Sequence, residues 1–343
     1  MAARRKARHL IAISMGDPAG IGAEIILKAA AELSRRRGAP RLLVIGDLAA
    51  MTAAAKRIKG VPTPFQWKDG DQRGTGRGIA ILQTGELSKA AHSPGRPTKE
   101  GGEASFRYVV RGAQMAMRGE VDALVTAPIS KEWWHRAGHR YPGHSELMAE
   151  IGRSRQWRMM FAGDQLKLAL VTVHMGLKQV SAILTRREVL DTIRLLNSHL
   201  RAGGLSKPRI AVLGFNPHAG ENGLFGNEEI RAITPAIRAA QKAGIDAFGP
   251  LAPDTAFIRS AGKFSFDAAV AMYHDQGLIP LKTLEFDRAV NVTIGIPFVR
   301  TSPDHGTAFD IAGKGRANPS SMIAAIEYAW HAIETRGSRR TPA

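Results

Sequence analysis

Three features of the sequence predict an α/β protein built on a buried, largely parallel sheet. Apolar runs of strand length alternate with helical patterns along the chain. The runs are nearly continuous in apolar residues, as in strands covered on both faces. Polar, glycine-containing motifs follow several of them, and ligands in such folds sit beyond the carboxyl ends of the strands.

The strand-like runs are 10–15, 41–46, 79–83, 123–127, 158–162, 168–174, 209–215, 268–273 and 290–296. Helical spacing covers 21–36, 103–118, 187–200, 227–243 and 320–335. The stretches 68–78 and 93–102 are rich in turn formers and read as surface connections, too short for linkers between independent modules. No internal repeat is visible.

With 343 residues, the chain predicts two domains or one large α/β unit. No apolar run approaches the roughly 18 residues that span a bilayer. The basic start at Arg4, Arg5, Lys6 and Arg8 leads into too short an apolar run for a signal peptide, and Gly16-Asp17-Pro18 follows at once. There are no cysteines, which excludes disulfides, thiolate catalysis and Cys-based zinc sites. A transition metal must then be held by His, Asp or Glu. The expectation is a cytoplasmic protein that does not engage a membrane. The formal charge of +18 raises the question of nucleic acid. The basic residues fall in scattered groups, such as Arg35–Arg37 and Arg153, Arg155 and Arg158, with no recognition helix or aromatic RNA-binding strand beside them. A solvated basic surface around an enzyme with anionic ligands is the preferred reading.

Three strand-like runs share one form. Each carries a histidine at or just past its carboxyl end, with glycine close behind: His174, His218 and His274. Three imidazoles on one edge of a parallel sheet suit a catalytic divalent metal with an open position, and favour Zn²⁺ or Co²⁺ over Mg²⁺. Each can equally be a separate polar loop residue; the repeated context favours the shared site. Near the other end, 305–319 reads HGTAFDIAGKGRANP. By itself this is a glycine-rich turn before a helix, in which Asp310 can accept hydrogen bonds from a ribose and would repel a 2′-phosphate.

That segment resembles the adenine-binding loop of the isocitrate and isopropylmalate dehydrogenases, with Phe309 in place of the usual proline. The stretch 16–24, GDPAGIGAE, is similar to the opening motif of the same superfamily with two residues added. Within it, MGDPAGIG (15–22), TAPISK (126–131), YPGHSE (141–146), NPHAGENG (216–223), GPLAPDTAF (249–257), MYHDQGLIPLK (272–282) and 290–313 resemble the 4-hydroxythreonine-4-phosphate dehydrogenase family, over about residues 9–335. The resemblance implies an isopropylmalate dehydrogenase-like α/β/α fold with two domains flanking a central active-site cleft. The expected division is an NAD-binding domain of 1–128 with 280–343, and a substrate-binding, metal-binding and dimerisation domain of 129–279.

The same resemblance implies roles. His174, His218 and His274 hold the metal: zinc by preference, with cobalt or magnesium as alternatives. His144, Ser145 (threonine in most of the family), Lys282, Asn291 and Arg300 bind the substrate. His305, Gly306, Ala308, Asp310 and Asn318 line the adenosine pocket of NAD. The family's site lies at a homodimer interface. Its reaction, a step of vitamin B6 (pyridoxine) biosynthesis, oxidises 4-phosphohydroxy-L-threonine to 2-amino-3-oxo-4-phosphooxybutanoate, which decarboxylates to 3-amino-2-oxopropyl phosphate. Asp254 is a candidate general base, or else a turn or helix cap. A paralogous dehydrogenase of erythronate or threonate 4-phosphate is the alternative.

Overall fold

The computed structural model describes residues 9–68 and 78–338, so the basic group before residue 9 and most of the 68–78 connection lie outside the described residues. The chain divides into two compact units, Met1–Ser154 with Ile296–Glu334, and Arg155–Gly295 with Thr335–Ala343.

In the first unit, strands β1 (Leu10–Ser14), β2 (Arg41–Gly46), β3 (Thr63–Gln66), β4 (Gly78–Gln83), β5 (Ala123–Thr126) and β12 (Val299–Pro303) form a parallel array in the order β3-β4-β2-β1-β5-β12. The register sets Ser14 beside Thr126. The array is flanked by α1 (Gly22–Leu33), α2 (Leu48–Ala55), α3 (Lys99–Met117), α4 (Lys131–Ala137) and α5 (His144–Ile151), and residues 320–334 of α10 (Ser320–Ser338) belong to the same unit. Local chemistry starts several of these helices. Asp47, Thr98 and Ser130 accept the Ala50, Gly101 and Trp133 N–H groups at the starts of α2, α3 and α4. The Thr98 cap explains why α3 begins at Lys99, ahead of the expected 103.

In the second unit the order is β11-β6-β7-β10-β8-β9, built from β6 (Arg158–Ala162), β7 (Lys167–Leu170), β8 (Ile210–Leu213), β9 (Ala247–Leu251), β10 (Ala268–Ala271) and β11 (Val290–Ile294). The β6–β7 and β6–β11 pairs are antiparallel and the β7–β10–β8–β9 run is parallel. Helices α6 (Leu177–Ile183), α7 (Arg186–Ala202), α8 (Thr234–Lys242) and α9 (His274–Glu285) complete it. Its core gathers Met159, Phe161, Leu168, Leu170, Leu213 and Leu278.

The division differs from the expected boundaries at both joins. Residues 129–154 belong to the first unit because α4 and α5 pack on α3; a Cβ at Gly102 of α3 would overlap the Trp133 carbonyl. Residues 280–295 belong to the second because α9 packs on β7 and β10, and β11 pairs with β6.

Candidate functional site

In the first unit, three polar segments converge at the carboxyl ends of β1 and β5. Arg300 stands on β12, is 1% exposed, and donates from Nη2 to Thr126 Oγ1 at 2.6 Å. Burial pushes its guanidinium pKa down to about 9, partly offset by the charge of Glu146. His144 and Ser145 open α5, whose Gly143 N-cap offers no side chain to the first-turn N–H groups. Such a helix start favours an anion. Burial, then the positive charges of Arg300 and Lys131, hold the His144 imidazole well below its ordinary pKa, so it is neutral. Trp134, fully buried, packs edge-on to that ring with centroids 5.5 Å apart, and its Nε1 donates to Ser105 Oγ at 2.8 Å.

Buried side-chain atoms almost always find a hydrogen-bond partner. His144 Nε2, Glu146 Oε2, Ser14 Oγ and Asp17 Oδ2 do not. Asp17 is a residue that sequence reasoning left out of the site. It is 1% exposed, its Oδ1 accepts the Ala19 N–H at 3.0 Å, and burial raises its pKa to about 6. Its only sequence signal is its place in the 16–24 motif; Glu146 likewise closes the 141–146 motif.

The tail loop lies in the same unit and packs on that first motif. Ile21 N–H donates to Thr307 O at 3.0 Å, and Glu24 Oε1 accepts the Ala317 N–H at 2.8 Å. Lys28 Nζ bonds Glu24 Oε1 and the carbonyls of Gly315 and Ala317. Of the expected adenosine residues, His305 turns Nδ1 to Gly306 O at 3.0 Å and keeps Nε2 buried without a partner. Ala308 holds a left-handed φ of 43°, and Asp310 and Gly306 are exposed. Asn318 has a structural task as well: its Oδ1 accepts Ser320 N–H (3.0 Å) and Oγ–H (2.7 Å), capping α10.

In the second unit the three histidines follow β7, β8 and β10, which are adjacent in the parallel run β7-β10-β8. His174 and His274 come together, with ring centroids 5.9 Å apart. His274 begins α9, and Asp275 Oδ1 lies 2.7 Å from its Nδ1. His218 stands apart in a turn where residues 218–222 all take left-handed backbone angles; its Nδ1 is 3.4 Å from Glu221 Oε2 and its ring faces Phe225. Left-handed geometry costs a non-glycine residue roughly 1–2 kcal/mol. Among the described residues no group of three His, Asp or Glu side chains is gathered around a common point, so the expected three-histidine set is not assembled within one chain. The donor set still fits a metal. In His218 and His274 a carboxylate beside Nδ1 leaves Nε2 as the free lone pair, the arrangement common to metal-binding imidazoles.

Asn291, on β11, has Oδ1 buried without a partner. Lys282 lies near the end of α9, its ammonium 5.9 Å from the Phe286 ring centroid. Asp254 is exposed in the turn after β9.

Comparison with known proteins identifies relatives over nearly the whole chain. A 4-hydroxythreonine-4-phosphate dehydrogenase of Geobacter metallireducens is 47% identical over 334 residues, 96% of each chain. A D-threonate 4-phosphate dehydrogenase of Salmonella typhimurium is 45% identical over 323 residues, 93% of this chain and 97% of that one. The crystal structure of a 4-hydroxythreonine-4-phosphate dehydrogenase from Klebsiella pneumoniae superposes with a TM-score of 0.84 at 41% identity, covering 95% of this chain and 99% of that one. The α/β class expected from the sequence is the class observed. Residues 39–329 match the profile described as pyridoxal phosphate biosynthetic protein PdxA, and the chain belongs to that family.

Proposed function

We propose that this protein is an NAD-dependent, divalent-metal-dependent dehydrogenase that oxidises the C3 alcohol of 4-phosphohydroxy-L-threonine, the product then losing CO₂ in a step of vitamin B6 synthesis. The observation that carries the reading is the set of buried polar atoms without partners. His144 Nε2, Asn291 Oδ1 and His305 Nε2 were each marked from sequence as ligand contacts, and each lacks a hydrogen bond. An unsatisfied buried donor or acceptor costs roughly 1–3 kcal/mol, a cost that a bound ligand removes.

In this reading the substrate phosphate and carboxylate are held by His144, Ser145, Lys282, Asn291 and Arg300. Arg300 presents a planar fork already stripped of water. His144, kept neutral, gives or accepts one hydrogen bond without adding charge. His305, Gly306, Ala308, Asp310 and Asn318 receive the adenosine of NAD, and exposed Asp310 disfavours a 2′-phosphate. His174, His218 and His274 would hold the metal, which as a Lewis acid lowers the pKa of the alcohol.

A homodimer completes the reading. Exposed large apolar side chains fall close behind each histidine: Leu177 after His174, Leu224 and Phe225 after His218, and Ile279 and Phe286 after His274. Their exposure supports placing the subunit interface of this reading beside the histidines. A second chain seated there would bring its own His218 to the His174–His274 pair. No helix among the described residues is long and apolar enough to cross a membrane.

The relatives also favour a second substrate, D-threonate 4-phosphate, because one so named is nearly as similar as those named for 4-hydroxythreonine 4-phosphate. The purified protein, assayed for NADH formation with 4-phosphohydroxy-L-threonine, D-threonate 4-phosphate and D-erythronate 4-phosphate, decides between them. The amino substrate should give the highest kcat/KM. NADH formation with none of the three would refute the reading.

A further inference from the structure

The least expected backbone in the second unit is the run 218–222. His218, Ala219, Glu221 and Asn222 hold φ of 51°, 54°, 43° and 57°, with Gly220 at 83° between them. Consecutive left-handed L-residues persist only where the surroundings over-determine them. Here the surroundings centre on one carboxylate. Glu229 is 4% exposed and opens a π-helical turn, Glu229–Ile233. Its Oε1 accepts the Phe215 N–H at 2.7 Å and the Asn216 N–H at 2.8 Å, while Oε2 accepts Asn216 Nδ2–H at 2.9 Å. Asn216 Nδ2 also donates to Glu228 Oε2 at 2.8 Å. The far side of the turn closes on the same group: a Cβ at Gly220 would lie 2.7 Å from Glu229 Oε2. The segment entering the turn is therefore tied to Glu229, and the turn itself is folded against it. The π-helical turn, a feature common at functional sites, carries that carboxylate.

We propose that Glu229 is a positioning residue for His218: it fixes the left-handed turn that presents the imidazole, and so sets how tightly the protein takes a divalent metal. The inference rests on the reading of His218 as a metal ligand. Glu229→Gln keeps the size but leaves one acceptor oxygen for three donors and turns an NH₂ toward them.

The test is Zn²⁺ affinity of the full-length, metal-stripped protein, measured by competition with a chromophoric chelator. Glu229→Gln should weaken Zn²⁺ roughly 10- to 100-fold, the usual effect of losing a group behind a ligand. In a His218→Ala background the same substitution should change affinity by less than about threefold. Glu285→Gln is the structural control. Glu285 is also buried and accepts the Gln165 and Leu166 N–H groups at 2.9 and 3.0 Å, so its loss should lower the melting temperature and leave Zn²⁺ affinity unchanged. If Glu229→Gln does not fold, Asn216→Ala, which removes the side-chain donor from the same carboxylate, is held to the same thresholds. The proposal is overturned if the folded variant binds Zn²⁺ like the wild type, if the loss persists without His218, or if Glu285→Gln weakens Zn²⁺ as much. Equal Zn²⁺ affinity of wild type and His218→Ala would remove the ligand reading itself, and the inference with it.

Discussion

Replacing Arg300 with methionine should separate the stability of the first unit from its affinity for anions. The guanidinium is 1% exposed, and burial lowers its pKa from the ordinary arginine range to about 9. Taken as a free energy, that shift is about 5 kcal/mol of unfavourable burial, an upper bound. Arginine stays charged at neutral pH even so, and the stress remains in the folded chain. Against it stands the Thr126 hydrogen bond, about 1.5–3 kcal/mol for a charged donor. Glu146 would lose one positive neighbour but keep Lys131, since both lie within 4 Å of where a Cβ at Gly143 would stand. Arg300→Met should therefore leave the unliganded protein as stable as wild type, or up to about 3 kcal/mol more stable. Inorganic phosphate at about 100 times its Kd should stabilise the wild type by about 2.7 kcal/mol, and the variant not at all. Urea unfolding followed by tryptophan fluorescence suits the measurement, because Trp67, Trp133, Trp134 and Trp330 all lie in the first unit and only Trp157 in the second. Sodium chloride at matched ionic strength controls for screening. A variant that loses more than about 3 kcal/mol without phosphate, yet keeps the phosphate response, would refute the placement of Arg300 at an anion site.

Asp17→Asn should stabilise the unliganded protein by up to about 3 kcal/mol at pH 8. The carboxyl pKa is raised from 3.8 to about 6, so the folded state binds the proton more tightly, stability falls as pH rises through that window, and the gain from the variant should vanish below about pH 4; a gain independent of pH in urea titrations would contradict this. His199, lowered to about 4 by burial and then by Arg336, works the opposite way: stability is lost as pH falls from 6.5 toward 4, and His199→Phe should flatten that part of the melting-temperature profile. NAD should be preferred to NADP, and Asp310→Ser should narrow the ratio of their kcat/KM values; a wild type that uses NADP equally well would show that the tail loop is misplaced. Mixing His174→Ala with His218→Ala chains should restore about a quarter of wild-type activity, since half of the dimers are mixed and each has one intact site, whereas His174→Ala with His274→Ala should restore none.

Apolar pattern was enough to locate most of the sheet. The runs 41–46 and 158–162 match β2 and β6 residue for residue, because strands buried on both faces carry an uninterrupted apolar signal. The pattern missed β3, β9 and β12, which contain Pro64, Pro250 and the polar run Arg300-Thr301-Ser302. It also missed α9, whose 12 residues include Gly277 and Pro280. Arg300 was legible as a candidate ligand residue while its strand was not, because a buried cation breaks the apolar pattern. The histidines were legible as strand-end residues because each follows an apolar run, and the structure sets those strands side by side. The left-handed turn that holds His218 was not, since Ala219 and Glu221 are types that rarely adopt that backbone.

The charge of the chain gains meaning from where it is buried. Among the described residues, seven buried charged side chains are acidic: Asp17, Glu24, Asp47, Asp191, Glu228, Glu229 and Glu285. All seven accept hydrogen bonds from N–H or hydroxyl donors, as when Asp47 caps α2 and Glu24 holds the Ala317 N–H. Among the same described residues Arg300 is the single buried Lys or Arg. These buried carboxylates serve as internal fasteners, whereas nearly all the described Lys and Arg side chains lie outside the core. Exposed charges more than about 8–10 Å from a ligand are mostly screened in physiological salt, so a net +18 does little to choose a substrate. A guanidinium already out of water attracts a phosphate at low local dielectric and loses little hydration in doing so. The anion specificity of this chain should therefore follow Arg300 far more than the net charge.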